Sequence, residues 1–165
     1  MKKTLSILFL LSGFMIFSGC PYESDVPIDA PSLYLNNRLL GTWEARTNKD
    51  ESFKISKSDE FTYSIEKTNK KSKETDVQKY LAYGSTVGGT TFLNISENKT
   101  DGSPKKYFLY KMVMSSDGMV TLSEVTDNID ERFPASDSLK KFIASNMKNS
   151  FFYNKDETSY IRTGK

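Results

Sequence analysis

Short runs of alternating apolar and polar residues occupy most of the chain from residue 39 onward. Phe53 and Ile55 alternate with serines and a lysine, and Tyr63 and Ile65 alternate with hydroxyl and carboxyl side chains. A period of two with aromatic and β-branched residues is typical of strands that bury one face. The runs predict about eight strands, at residues 40–47, 52–56, 61–66, 78–87, 91–96, 106–114, 119–126 and 160–163.

One segment, residues 136–148, follows a helical period instead. Its apolar side chains recur at spacings of three and four, at Leu139, Phe142, Ile143 and Met147. It follows Pro134, and the polar residues 136–138 can cap a helix N-terminus. Between the strands, the segment Ser115-Ser116-Asp117-Gly118 predicts a hairpin, because glycine after aspartate accepts the positive backbone angle that a tight turn requires. Serial strands with one late α-helix predict a mainly β fold, an antiparallel up-and-down barrel or a meander of about eight strands.

The predicted strand at 106–114 is apolar on both faces. One face carries Tyr107, Leu109 and Val113, and the other carries Phe108, Tyr110, Met112 and Met114. Apolar surface of this extent is rarely left open, so we expect both faces to be covered. The late helix packed on the outside of the sheet is one explanation. The other is a dimer or ligand surface with the methionines as adaptable contacts, so the Phe108 face is a predicted helix or partner surface.

The N-terminus has the pattern of an export signal. Met1-Lys2-Lys3 is basic, and the apolar run at 5–17 is shorter than the ~20 residues that span a bilayer. The run ends in Phe17-Ser18-Gly19-Cys20, which resembles the lipobox of bacterial lipoproteins. The resemblance implies that residues 1–19 are a lipoprotein signal peptide and that the Cys20 thiol accepts a diacylglycerol before cleavage. The alternative is a plain secretory peptide with an incidental or buried cysteine.

Residues 20–38 hold three of the five prolines and show no stable period. Proline keeps the backbone extended, so we predict a semi-rigid tether between the lipidated cysteine and a domain at 39–165. Pro21, rather than Asp, follows the cysteine, which by the lipoprotein resemblance implies the outer membrane. Whether the domain faces the periplasm or the cell surface stays open. Acyl chains would attach it to the membrane, each buried methylene contributing roughly 0.8 kcal/mol.

Charge and composition narrow the classes of partner. The chain has 23 Lys plus Arg and 21 Asp plus Glu. Removal of Lys2 and Lys3 with the signal peptide would leave equal numbers of basic and acidic residues. A neutral domain gains little from phosphate neutralisation, so we predict no nucleic-acid partner. The lone cysteine is assigned to lipid, which leaves no thiol for an intramolecular disulfide.

The residue types argue against catalysis. The chain has no histidine, which removes imidazole bases, Ser-His-Asp and Cys-His pairs and histidine-dependent metal sites. Asp127, Asp130 and Glu131 could supply oxygen ligands for calcium, but they lack the glycine and the acid repeat of an EF-hand, which favours a solvated loop. No phosphate-binding loop follows the glycines at 84, 88 and 89. We therefore predict a protein without enzymatic activity, cofactor or metal.

Gly41-Thr42-Trp43 opens the first predicted barrel strand and contains the only tryptophan. A Gly-x-Trp at this place resembles the lipocalin and calycin signature. The resemblance implies a barrel closed at one end by Trp43, with a basic side chain from a late strand, here Arg162, lying across the indole. It also implies a ligand cavity, for which the predicted aromatic wall is Phe61, Tyr63, Tyr83 and Phe92.

Two functions remain open at this point. One is an envelope-anchored carrier that binds a small apolar ligand inside the barrel. The other is a structural or protein-interaction module at the envelope, such as an accessory subunit or an inhibitor, because an eight-stranded barrel can also be filled by its own side chains.

Overall fold

Strands dominate the computed structural model, which describes residues 21–69 and 76–164. In the described part, nine strands form one sheet. They are β1 (Glu23–Ser24), β2 (Gly41–Ala45), β3 (Glu51–Lys57), β4 (Tyr63–Asn69), β5 (Asp76–Val87), β6 (Thr90–Glu97), β7 (Tyr107–Met114), β8 (Val120–Glu124) and β9 (Thr158–Gly164).

Strands β2 to β9 form a closed antiparallel barrel. Each strand pairs with the next in the chain, and β9 returns to pair with β2. Closure leaves the ring without exposed edges, which in an open sheet would invite pairing with other chains. The predicted mainly β fold is confirmed, and of the two architectures it is the up-and-down barrel. The short strand β1 is additional and pairs with the start of β7.

The hairpin between β7 and β8 forms where glycine was expected to allow it. Gly118 has a φ of 87°, and the Ser115 N–H donates to the Met119 carbonyl at 2.9 Å. Positive φ is nearly free of cost for glycine and unfavourable for other residues. The turn therefore fixes the register in which Met114 lies opposite Val120.

One α-helix, α1 (Ser136–Asn146), lies in the described part, close to its predicted position. Its N-cap is Ala135, whose side chain makes no capping hydrogen bond. The predicted cap by residues 136–138 is therefore not formed, and the Ser138 hydroxyl donates instead to the Ala135 carbonyl at 2.7 Å. Within the described residues, no helix combines the length and apolarity needed to cross a bilayer.

The helix covers the outside of the barrel at β5, β6 and β7. Its Leu139 and Ile143 are almost fully buried there together with Phe92 and Leu109, which face outward from β6 and β7. We call this apolar layer the outer cluster; its buried members are Tyr22, Ile28, Val87, Phe92, Leu109, Val125, Leu139, Ile143 and Phe152. The barrel therefore has a buried apolar core on one outer side as well as apolar side chains inside.

Residues 21–39, the N-terminal segment, differ from the tether that the sequence predicts. Ile28 has no exposed surface, and its N–H donates to the buried Asn94 side chain at 2.7 Å. Asp29 accepts two hydrogen bonds from Lys140 on α1, both at 2.8 Å. The segment thus folds as part of the domain, because its apolar side chains complete the outer cluster. The predicted signal peptide and Cys20 lie outside the described residues.

Candidate functional site

The barrel encloses a cavity of about 280 Å³. All eight barrel strands contribute inward side chains to its wall. The middle of the wall is apolar and is made by Ile55, Ile65, Ala82, Leu93, Ile95, Met112 and Leu122. Alternation along each strand produces this wall, since every second residue of a barrel strand points inward.

Trp43 closes one end of the cavity. The indole is 3% exposed, and its Nε1 donates to the Leu39 carbonyl at 2.8 Å. Arg162 lies opposite Trp43 on β9, with its guanidinium carbon 5.2 Å from the ring centroid, and it also donates to the Arg38 carbonyl. Gly41 begins the strand with a φ of 128°, a region that glycine adopts readily. This is the arrangement that the Gly-x-Trp resemblance implies.

The N-terminal segment completes the closed end. The Asn36 N–H donates to the Tyr63 hydroxyl at 2.7 Å, and the Leu35 N–H donates to the Glu60 carbonyl at 3.2 Å. Tyr63 itself points into the cavity, and burial raises its pKa above the ordinary value. These contacts place the last residues of the segment across this end of the barrel.

The opposite end, which we call the mouth, is lined by paired polar groups. Glu51 on β3 and Lys67 on β4 form an ion pair with Oε2 and Nζ 3.0 Å apart. The Tyr110 hydroxyl donates to the Glu124 carboxylate, whose other oxygen accepts from Asn154 at 2.6 Å. Burial raises the pKa of Tyr110, and the hydrogen bond to Glu124 raises it further.

Tyr160 lies between the apolar wall and the mouth. Burial, followed by the nearby Glu51 carboxylate, raises the pKa of the Tyr160 phenol to about 12. The phenol is therefore neutral at physiological pH. The cavity combines an apolar interior with a ring of charged and hydroxyl groups at one end, a distribution that suits an apolar molecule entering from the mouth.

Exposure distinguishes the inside of the barrel from its covered outside. Phe92 and Leu109 of the outer cluster are 0% and 1% exposed. The inward residues beside them, Ile95 on β6 and Met112 on β7, are only half-buried although they face the barrel axis. The interior is thus the looser of the two apolar regions, because part of its volume is filled by no side chain.

One of the four aromatic residues predicted to line the cavity does so. Tyr63 is in the wall. Phe92 faces outward into the outer cluster, and Tyr83 shares that outward face of the sheet, where burial raises its pKa. Phe61 lies before β4 and contacts Tyr34, with ring centroids 5.1 Å apart and ring planes tilted by 42°. Alternation showed that two faces exist without indicating which was inside.

The predicted helix or partner surface on β7 is corrected in the same way. Phe108, Tyr110 and Met112 line the cavity. Met114 packs against the buried residues inside the barrel, which we call the inner cluster: Leu39, Trp43, Tyr63, Ile65, Ala82 and Val120. The helix packs on the opposite face, at Leu109. Sequence reasoning missed most of the cavity wall, including Ile95, Leu122 and Tyr160; the signal available for them was their place in alternating strands.

No group of three or more metal-ligating side chains occurs among the described residues. No protein-family model matches the chain, and neither curated proteins nor solved structures give a significant match.

Proposed function

We propose that this chain is a lipid-anchored binding protein of the bacterial cell envelope, held at the outer membrane through acyl chains on Cys20. Its lipocalin-like barrel holds a small apolar ligand. The observation that carries the proposal is the apolar cavity of about 280 Å³ with one end closed by Trp43. The volume lies near the lower limit of ~300 Å³ for small-molecule sites, which favours a slender ligand over a bulky one.

The polar groups of the cavity support binding rather than catalysis. Glu51 is paired with Lys67, and Glu124 accepts from Tyr110 and Asn154. A general acid or base works best with a pKa near the operating pH. The phenols of Tyr110 and Tyr160 have pKa values raised away from neutrality.

Binding of N-phenyl-1-naphthylamine, a neutral dye that fluoresces in apolar surroundings, tests this proposal. In the chain that begins at Pro21, the dye should bind saturably with one site per barrel. Ile95→Phe places a larger side chain in the cavity and should weaken binding, whereas Val113→Phe adds the same ring outside the neighbouring strand, at a side chain that is 52% exposed. Equal binding by both variants, or none by the parent, would remove the carrier proposal.

A protein-interaction module is the second candidate. Tyr34 and Phe151 are 79% and 73% exposed, and large aromatic side chains are enriched at protein interfaces. A photo-crosslinking amino acid in place of Phe151 in growing cells tests this reading. One discrete protein adduct, with dye binding unchanged, would favour the interaction module, and the absence of any adduct would argue against it at this surface.

A further inference from the structure

The N-terminal end of the described chain reaches the wall of the cavity. Strand β1 runs antiparallel to β7, with Ser24 opposite Tyr107 and Glu23 opposite Phe108. Toward its N-terminus the segment therefore advances along β7 away from the rim. It arrives at Pro21, which lines the cavity.

Pro21 is held in this position by its neighbours. Tyr22, on the other face of the segment, is 3% exposed in the outer cluster, and its N–H donates to the Val125 carbonyl at 3.2 Å. The Tyr22 hydroxyl donates to the Glu131 carbonyl at 3.0 Å. Pro21 forms an isolated antiparallel β-bridge with Thr126. Moving Pro21 away from the cavity would expose Tyr22 and break these bonds.

The residue that precedes Pro21 is the predicted lipidation site. Consecutive Cα atoms are ~3.8 Å apart, so any group attached to residue 20 begins within one residue of the cavity wall. Strand β1 pairs with the start of β7, whose Phe108, Tyr110 and Met112 side chains form part of that wall. An acyl chain at this place can enter the cavity beside Pro21.

We infer that the cavity shelters an acyl chain of the protein's own lipidated N-terminus on Cys20. The inference rests on the proposed function and names the ligand. Shape and chemistry agree, because the cavity is apolar, is near the lower size limit of ligand sites, and is lined by Pro21, the residue next to the predicted anchor. The barrel would then cover one acyl chain while the other chains remain for the membrane.

Cross-linking in the full chain tests this. Cells expressing the protein receive a palmitate analogue with a diazirine near the methyl end, which enters the lipid on Cys20. After irradiation we expect intramolecular cross-links from the residue-20 lipid to the tryptic peptides 80–99 and 107–111, which contain β6 and the start of β7. Ile95→Phe should lose most of these cross-links, and Val113→Phe should keep them.

The other outcomes overturn the inference and separate it from the proposed function. Cross-links to the same peptides from lipid not joined to residue 20 would mean that a membrane lipid fills the cavity. Cross-links only to membrane lipids, with the dye still binding the chain from Pro21, would remove the inference and leave the carrier proposal. Failure of Cys20, compared with a Cys20→Ser control, to take up the label would remove the lipid anchor and the inference with it.

Discussion

At the scale of single residues, Trp43 joins the closed end of the barrel to the N-terminal segment. It is buried, packs in the inner cluster and donates to the Leu39 carbonyl. Replacement by alanine leaves a cavity and an unpaired carbonyl, so we expect Trp43→Ala to lower the free energy of unfolding by about 3 to 5 kcal/mol. Urea denaturation followed by circular dichroism measures this.

Arg162→Ala is the matched control at the same site. Arg162 is exposed and contributes a cation–π contact, so its loss should cost only about 0.5 to 1 kcal/mol. A decrease of less than about 1 kcal/mol in the free energy of unfolding for Trp43→Ala would contradict the role of the indole in closing the barrel.

The buried tyrosine phenols make the stability of the fold vary with pH in the alkaline range. Tyr160 has a pKa raised to about 12, and the pKa values of Tyr110 and Tyr63 are also raised, first by burial. In the unfolded chain a tyrosine loses its proton near pH ~10. Above that pH the unfolded state binds fewer protons than the folded state, so stability falls as pH rises toward 12.

We therefore expect urea midpoints to be constant from pH 7 to about 9 and to decrease above pH ~10. Absorbance of tyrosinate at 295 nm should show a late-titrating group of phenols in the folded protein. Tyr160→Phe should make the decrease shallower. An unchanged midpoint up to pH 12 would contradict the burial of these phenols.

At the scale of elements, the N-terminal segment is attached to the barrel through one buried side-chain amide, that of Asn94. Asn94 accepts from the Ile28 N–H and donates to the Ser85 hydroxyl at 2.9 Å. Asn94→Ala leaves the buried Ile28 N–H without its acceptor, so we expect a loss of about 1 to 3 kcal/mol and faster amide exchange at Ile28. Asn98→Ala, on an exposed loop after β6, should stay within about 0.5 kcal/mol.

If the Ile28 amide remains protected from hydrogen exchange in the Asn94→Ala variant, packing alone holds the N-terminal segment in place. No local pattern predicts this attachment, because Asn94 lies 66 positions from Ile28 and the prolines of the segment favour an extended spacer. By contrast, α1 and the hairpin at Gly118 could be predicted, since a helical period and a glycine turn are encoded by neighbouring residues.

The cavity wall was harder to predict for a related reason. Along β6, Phe92 and Ile95 are both apolar, yet one packs under α1 and the other faces the cavity. Where a helix covers the outside of a barrel, both faces of a strand become apolar and the alternation no longer indicates the inside. Trp43 and Arg162 could be paired from sequence only because a family resemblance supplied their roles.

At the scale of the whole molecule, the barrel has two unlike ends. Trp43 and the residues before it close one end, while Pro21 and the Glu51–Lys67 pair lie toward the other. If Cys20 carries the anchor, the mouth must stay within a residue or two of the membrane interface, because Pro21 is fixed on the barrel. The hairpin between β7 and β8 then points away from the bilayer.

This orientation predicts different access for two engineered thiols. Ser116→Cys is exposed on the hairpin at the closed end, and Thr47→Cys is exposed on the loop between β2 and β3 at the mouth. In vesicles carrying the lipidated protein, a polyethylene-glycol maleimide should label Ser116→Cys several-fold faster, because headgroups obstruct the reagent at the mouth. Detergent should make the two rates equal, since it removes that obstruction. Equal rates before detergent would mean that the barrel stands clear of the membrane, as the extended tether would have required.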